Sequence, residues 1–246
     1  MASSTLHISL GTRCIAGRRM VDAGVREFSC PYDWLISNPK FVNETLTDLM
    51  INNHEPERIV TNKFLPIDYI KLGIAVKKVP DVYRTDDGTI HEDEHVVSLI
   101  NTLYRVALPH EVGSHHQFTE NHKIIKDTKY LKGCVGQYYQ QAVAKKYIRR
   151  FTHLKTQLLS NRPVVGMIQT IFEKETLDGE PYWKLLCEDS YDCFISMLDI
   201  LKKCHKDSRL IMFGPHALDI CKHIAGKTSY SQDTYHLDNN IYIQLS

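Results

Sequence analysis

From about residue 140 onward the chain alternates short apolar strands with amphipathic helices, and no other feature restricts its fold as much. Val164-Val-Gly-Met-Ile168 and Leu210-Ile-Met-Phe213 are apolar runs too short for helices, and residues 241–245 form a third. Helical patterns at about 191–204 and 216–224 separate them, and another occupies about 136–160. In that last helix Val143, Tyr147, Ile148, Phe151, Leu154 and Leu158 share one face, while Lys145, Lys146, Arg149, Arg150 and Lys155 occupy the other. Strands joined through helices need crossover connections, which favour parallel pairing and place helices on the sheet. The expected class is therefore α/β or α+β, with a partly parallel, mixed sheet flanked by helices. No linker or repeat divides residues 1–246, so one domain is expected.

The first third supplies a strand over about 6–10, a turn at Gly11, and a helix over about 13–23 closed by Gly24. Asn38-Pro39 marks another helix start, and Asp86-Asp-Gly88 a hairpin turn between the run at 76–83 and His91. Residues 104–108 read as a strand leading to Pro109-His110-Glu111, and the polar, histidine-rich stretch 113–128 as a loop. Trp34 and Trp183 read as core or cleft-wall residues.

Thirty basic against 29 acidic residues leave a formal charge of +1, so no net field recruits nucleic acid or an acidic membrane. A solvated helix face is the simpler account of the basic cluster at 145–150; phosphate or an acidic partner is the alternative. Met1-Ala-Ser-Ser-Thr-Leu6 lacks a charged start and apolar run, and no stretch is long enough for a membrane span. Seven cysteines (14, 30, 134, 187, 193, 204, 221) include no Cys-x-x-Cys pair. Reduced thiols in a cytoplasmic protein are expected, with no cofactor and no metal. His91 and His95 have a chelating i, i+4 spacing on a helix, but lack the His-Glu-x-x-His arrangement.

Cys14 opens the helix that follows the first strand. Unpaired backbone N–H groups and the positive helix end favour thiolate there, and the same amides can receive an oxyanion. The alternative is a buried cysteine acting as a small hydrophobe. A nucleophilic thiol needs an imidazole, and His110, leaving a strand for a loop, is the candidate base.

Four blocks sharpen this assignment. Ser9-Leu-Gly-Thr-Arg-Cys14 is followed by Pro31-Tyr-Asp-Trp34, then His110-Glu111, then Lys146-Tyr-Ile-Arg-Arg150 ahead of the strand at 164–168. Their order over residues 6 to about 170 resembles a family of papain-like cysteine peptidases, found in bacteria and large DNA viruses. That family shows Ser-Leu-Gly-x-x-Cys, Pro-Phe-Asp-Trp, His-Asp and Tyr-x-Arg-Arg. This chain departs from it with Tyr32 for phenylalanine and Glu111 for aspartate.

The resemblance implies a papain-like domain with a strand-turn-helix carrying the nucleophile Cys14, and His110 as base. Glu111 and Asp33 are the candidate orienting acids. Glu111 adjoins His110, and neighbouring side chains on extended backbone point apart. Asp33 sits in a tight-turn context after Cys30-Pro31, where a capping carboxylate is the structural alternative. Residues 1–13 contain no glutamine to line an oxyanion hole, leaving Ser9, Thr12 or Arg13 beside the Cys14 amide. The arginine pair at 149–150 would suit an ion pair to Asp33.

The implied activity is thiolate attack on an amide, isopeptide or thioester carbonyl. The chain would be a cysteine peptidase, or an acyltransferase when an amine captures the acyl group, with a protein or peptide substrate. The contrasting expectation is an inactive scaffold serving as an interaction module; a nucleic-acid binder using the basic face is a third reading, which the charge balance disfavours.

Overall fold

A computed structural model describes residues 5–11, 14–35, 37–64, 70–76, 82–84, 90–92, 95–101, 103–104, 106–108, 119–120, 123–124, 143–170, 191–214, 217–237 and 240–246. Strand β1 (Leu6–Ser9) leads to helix α1 (Cys14–Asp22), then α2 (Pro39–Met50) and α3 (Pro56–Ile59), which continues into a π-helical segment, Val60–Phe64. Short antiparallel pieces follow: β2 (Ile70–Val76), β3 (Val82–Arg84), β4 (Ile90–Glu92), β5 (His95–Asn101), β6 (Val106–Leu108), β7 (Thr119–Glu120) and β8 (Lys123–Ile124). The C-terminal part is α4 (Ala144–Leu158), β9 (Val164–Gln169), α5 (Tyr191–Cys204), β10 (Arg209–Phe213), α6 (Ala217–Lys227), β11 (Gln232–Leu237) and β12 (Asn240–Leu245).

Five strands form the main sheet in the order β1-β9-β10-β12-β11. The first three are parallel, and β12 and β11 complete the sheet as an antiparallel hairpin. The protein is thus mixed α/β, with a five-stranded mixed sheet flanked by helices. Register sorts the strand residues into two faces, because side chains alternate along each strand. Ile8, Gly166, Leu210 and Leu245 lie in one row, and Ile168, Met212 and Ile243 in the next. This face is apolar, and α5 and α6 pack on it. Cys221 of α6 lies 3.4 Å from the Met212 sulfur, and a Cβ at Gly166 would fall 2.9 Å from Leu201 Cδ1 of α5. That Cβ would also lie 2.7 Å from Leu10 Cδ1, so Gly166→Ala is expected to cost about 1–3 kcal/mol by overpacking, read from a denaturant midpoint.

The opposite face carries Ser9, Val165, Met167, Gln169, Phe213 and Tyr242, and α1 covers it. Arg19 of α1 stacks its guanidinium 4.7 Å above Phe213 and 5.2 Å above Tyr242, which are register partners. Ala16 and Met20 are buried beneath the same helix.

Beyond the sheet, α2, α3, the π segment and α4 share an aromatic cluster. Phe64 packs on Phe41, Tyr147 and Phe151 at 5.2, 4.7 and 5.5 Å between ring centroids. Asn38 caps α2 by accepting from the Phe41 amide at 2.9 Å, and its own amide donates to Tyr104 O. The same contiguous core includes Val106 and Leu108 of β6.

Most expected elements have their counterparts, with several corrections. Arg150 is buried, so the basic face of α4 ends at Arg149, which is exposed. The stretch 113–128 contains the paired strands β7 and β8; its other residues lie outside the described set. His91 and His95 fall in β4 and β5, so no helix turn places them at chelating spacing. The expected hairpin around Asp86-Asp-Gly88 agrees with the β3–β4 pairing, although 85–89 themselves are not described. Strands β2, β5 and β11 were not anticipated. No helix among the described residues is long and apolar enough to cross a membrane.

Candidate active site

The carboxyl ends of β1, β9 and β10 meet in one stitched row. The Leu10 amide donates to Met167 O and the Gln169 amide to Gly11 O, both at 2.8 Å; the Thr170 amide donates to Phe213 O at 2.9 Å. At Gly11 the chain turns out of the sheet with φ +80°, a conformation in which glycine meets no Cβ penalty. Ser9 Oγ, buried below the turn, accepts from the Gly11 amide at 3.4 Å. Three positions later Cys14 begins α1.

Helix α1 lies on one face of the sheet, whereas α5, the helix after β9, lies on the other. Helices leaving adjacent parallel strands in opposite directions open a crevice at the strand ends, the usual ligand position in open α/β sheets. Cys14 is therefore placed at the lip of such a switch point by its backbone alone.

The Cys30-Pro31-Tyr32-Asp33-Trp34 segment packs along the outer edge of β1 and against α1. The Cys30 thiol donates to Ser9 O at 3.1 Å, satisfying a carbonyl on the edge strand. Residues 31–34 form a turn, and the Cys30 amide donates to Asp33 Oδ2 at 2.8 Å. Arg26 donates to the same oxygen at 2.5 Å. The Asp33 side chain is wholly buried, and its other oxygen, Oδ1, accepts no hydrogen bond. Asp33 also sits directly against α1: a Cβ at Gly17 would lie 3.0 Å from Oδ1 and 3.2 Å from the Asp33 Cα. Only glycine at position 17 lets the helix and this turn come so close.

Burial pushes the Asp33 carboxyl up from its ordinary range, against the pull of the Arg26 guanidinium and the Cys30 amide. Arg150, buried on α4, also favours the charged form of Asp33. Its neighbour Phe151 meets Tyr32 edge-on at 5.9 Å, and Tyr32 shares a 2.7 Å hydrogen bond with Thr45. Arg150 Nε and Nη1 have no hydrogen-bond partner, and the guanidinium lies 5.4 Å from the Tyr147 ring.

The sequence-derived candidates thus separate. Asp33 is fixed beside α1, and its carboxylate caps the turn, as its structural alternative required. Its ion-pair partner is Arg26 rather than Arg149. Cys14 has its predicted helix-opening position. His110 and Glu111 lie outside the described residues, His110 two positions beyond the end of β6. Arg26 and Gly17 escaped the sequence reading, because a partner seven positions away and a close helix contact leave no periodic trace.

Other thiols are poor nucleophiles. Burial pushes Cys30 well above the usual thiol value, with Asp33 adding to the effect. It also pushes Cys204 up to about 11 and Cys221 up to about 12. Among the described residues, no cluster of three or more His, Cys, Asp or Glu side chains could hold a metal ion. No family model, curated protein or solved structure matches the chain.

Proposed function

We propose that the protein is a papain-like, cysteine-dependent acyl-transfer enzyme, a peptidase or acyltransferase acting on an amide, isopeptide or thioester bond in a protein or peptide. The observation that supports it is the position of Cys14: the first residue of α1, immediately beyond the carboxyl end of β1 at the sheet's switch point. Free amides of the first helical turn and the helix dipole favour a thiolate and can receive an oxyanion.

In this mechanism the Cys14 sulfur bonds to the substrate carbonyl carbon. Protonated His110 gives its proton to the leaving group as the carbon–leaving-group bond breaks. Water, deprotonated by His110, then attacks the thioester carbon; the acid is released and the proton returns to sulfur. An amine in place of water makes the reaction an acyl transfer. The link between Asn38 and Tyr104 O supports placing His110 near this region, since it fastens the chain just before β6 to the segment that follows the Asp33 turn.

The second reading, a catalytically silent interaction module on the same scaffold, draws on Asp33, whose Oδ2 is occupied by Arg26 and the Cys30 amide. Site-resolved iodoacetamide labelling across pH separates the two. In an enzyme, Cys14 is labelled rapidly below pH 7, at least tenfold faster than a free thiol with its pKa of about 8.5. His110→Ala then moves its midpoint toward that ordinary value. Labelling of Cys14 no faster than an unactivated thiol, and indifferent to His110, overturns the enzymatic reading.

A further inference from the structure

Two buried polar groups of opposite charge remain incompletely bonded beneath α1. Asp33 Oδ1 faces the helix at Gly17 with no donor, and Arg150 Nε and Nη1 have no acceptor. Leaving such atoms unpaired in the interior costs free energy that an apolar pair of the same shape would avoid. The charge balance of the cluster gives this arrangement a use. Arg26 and Arg150 supply two fixed positive charges and Asp33 at most one negative charge, so the buried cluster is net positive. It lies beside Gly17, which is three positions from Cys14 and therefore on the same face of α1.

We infer that Arg150 is a positioning residue for Cys14: with Arg26 it holds an excess of positive charge under the first turns of α1, biasing Cys14 toward thiolate, while Asp33 braces the helix rather than serving as an orienting acid. The inference rests on the proposed role of Cys14 as nucleophile. It assigns to the interior a contribution separate from that of His110. A guanidinium suits this task because it stays charged at every accessible pH even when desolvated. On α4 it is held by packing, with Tyr147 under its plane and Phe151 locked against Tyr32.

The charged and titratable groups around the turn are few. On α1 they are Arg18, which is exposed, and Arg19, which is engaged with Phe213 and Tyr242. On the adjoining segment they are Arg26, Cys30 and Asp33, and on α4 Arg150. Cys30 is buried and stays a neutral thiol. Among these described groups, Asp33 is the one negative charge.

The test is the pH profile of iodoacetamide labelling at Cys14, read by mass spectrometry on the full chain, in Arg150→Met and Asp33→Asn proteins whose near-ultraviolet dichroism matches the parent. Arg150→Met keeps the volume and removes the charge, and a purely structural role for Arg150 would not move the midpoint. We expect that midpoint to rise by about one pH unit, a roughly tenfold slower reaction below it. An unchanged midpoint overturns the inference. Asp33→Asn is expected to lower the midpoint, whereas an orienting acid would raise it, and a rise overturns the inference. Should Arg150→Met fail to fold, Asp33→Asn decides alone: a lower midpoint supports the inference, and an unchanged or higher one overturns it. The two proposals fail separately. An Arg150 effect that persists in a chain indifferent to His110→Ala removes the dyad but leaves the buried field. A His110 effect without an Arg150 effect does the reverse.

Discussion

Phe151→Ala is expected to destabilise the protein by about 3–5 kcal/mol, the range for truncating a fully buried phenylalanine. Phe151 has no exposed surface and touches two aromatic partners that otherwise belong to different parts of the chain. One is Phe64, in the π segment behind the helical layer; the other is Tyr32, in the turn that carries Asp33. Truncation leaves a cavity between them that neither can fill, because Tyr32 is tethered through its hydroxyl to Thr45 and Phe64 is wedged between Phe41 and Tyr147. Denaturant unfolding checks the magnitude. The site should feel the loss as well, since the turn rests on this ring: Cys14 labelling in the folded variant should become slower. Phe151→Leu, which keeps most of the volume, should recover more than half of the lost stability. A cost below 1 kcal/mol for the alanine variant would mean that the aromatic cluster does not carry the turn.

Asp33→Ala should cost about 3 kcal/mol, because it strips acceptors from the Cys30 amide and from Arg26 and leaves a gap against α1. Asp33→Asn should cost less than about 1 kcal/mol, since one amide oxygen can still accept from both donors. The contrast follows from the direction of the carboxyl's shift. Burial raises the folded-state value above the unfolded one, so the folded protein binds the proton more tightly. Wherever the folded state holds more protons, stability falls as pH rises. The contribution of Asp33 is thus greatest at the acid end of the carboxylate range. It declines as pH climbs to the raised folded value and is level above it. Asp33→Asn has no such slope. The stability difference between parent and Asn variant should therefore shift in favour of Asn on going from acid to neutral pH, measured by urea unfolding at several pH values. A shift in the opposite direction would show that Arg26 outweighs burial and that the carboxylate's charge stabilises the fold.

Much of the sheet was legible in the sequence because its strands are apolar on both faces and its helices are periodic. Residues 164–168 and 210–213 read as buried strands, and each became a parallel strand covered by helices on its fully apolar face. The helix over 191–204 was read with its observed limits. Asn38-Pro39 predicted a capped helix start from two residues, since the cap is local chemistry. Strand β11 was missed because its Gln232-Asp-Thr-Tyr-His-Leu237 segment has no apolar run; pairing with β12 holds it.

Arg150 marks the boundary between the two kinds of information. On a helical wheel it belongs with Lys145, Lys146 and Arg149, and nothing within α4 separates it from them. What buries it is the arrival of the turn at 30–34, more than a hundred residues earlier in the chain, which brings Asp33 and Tyr32 against that side of the helix. Local patterns determined where strands and helices begin, that the class is α/β, and that Cys14 opens a helix just after a strand. Only the tertiary structure decided that α1 and α5 leave the sheet on opposite faces, that Arg26 holds Asp33, and that one arginine of four basic neighbours lies inside. Those outcomes depend on contacts between segments far apart in sequence, and the free energy of such contacts is not written in any single stretch of the chain.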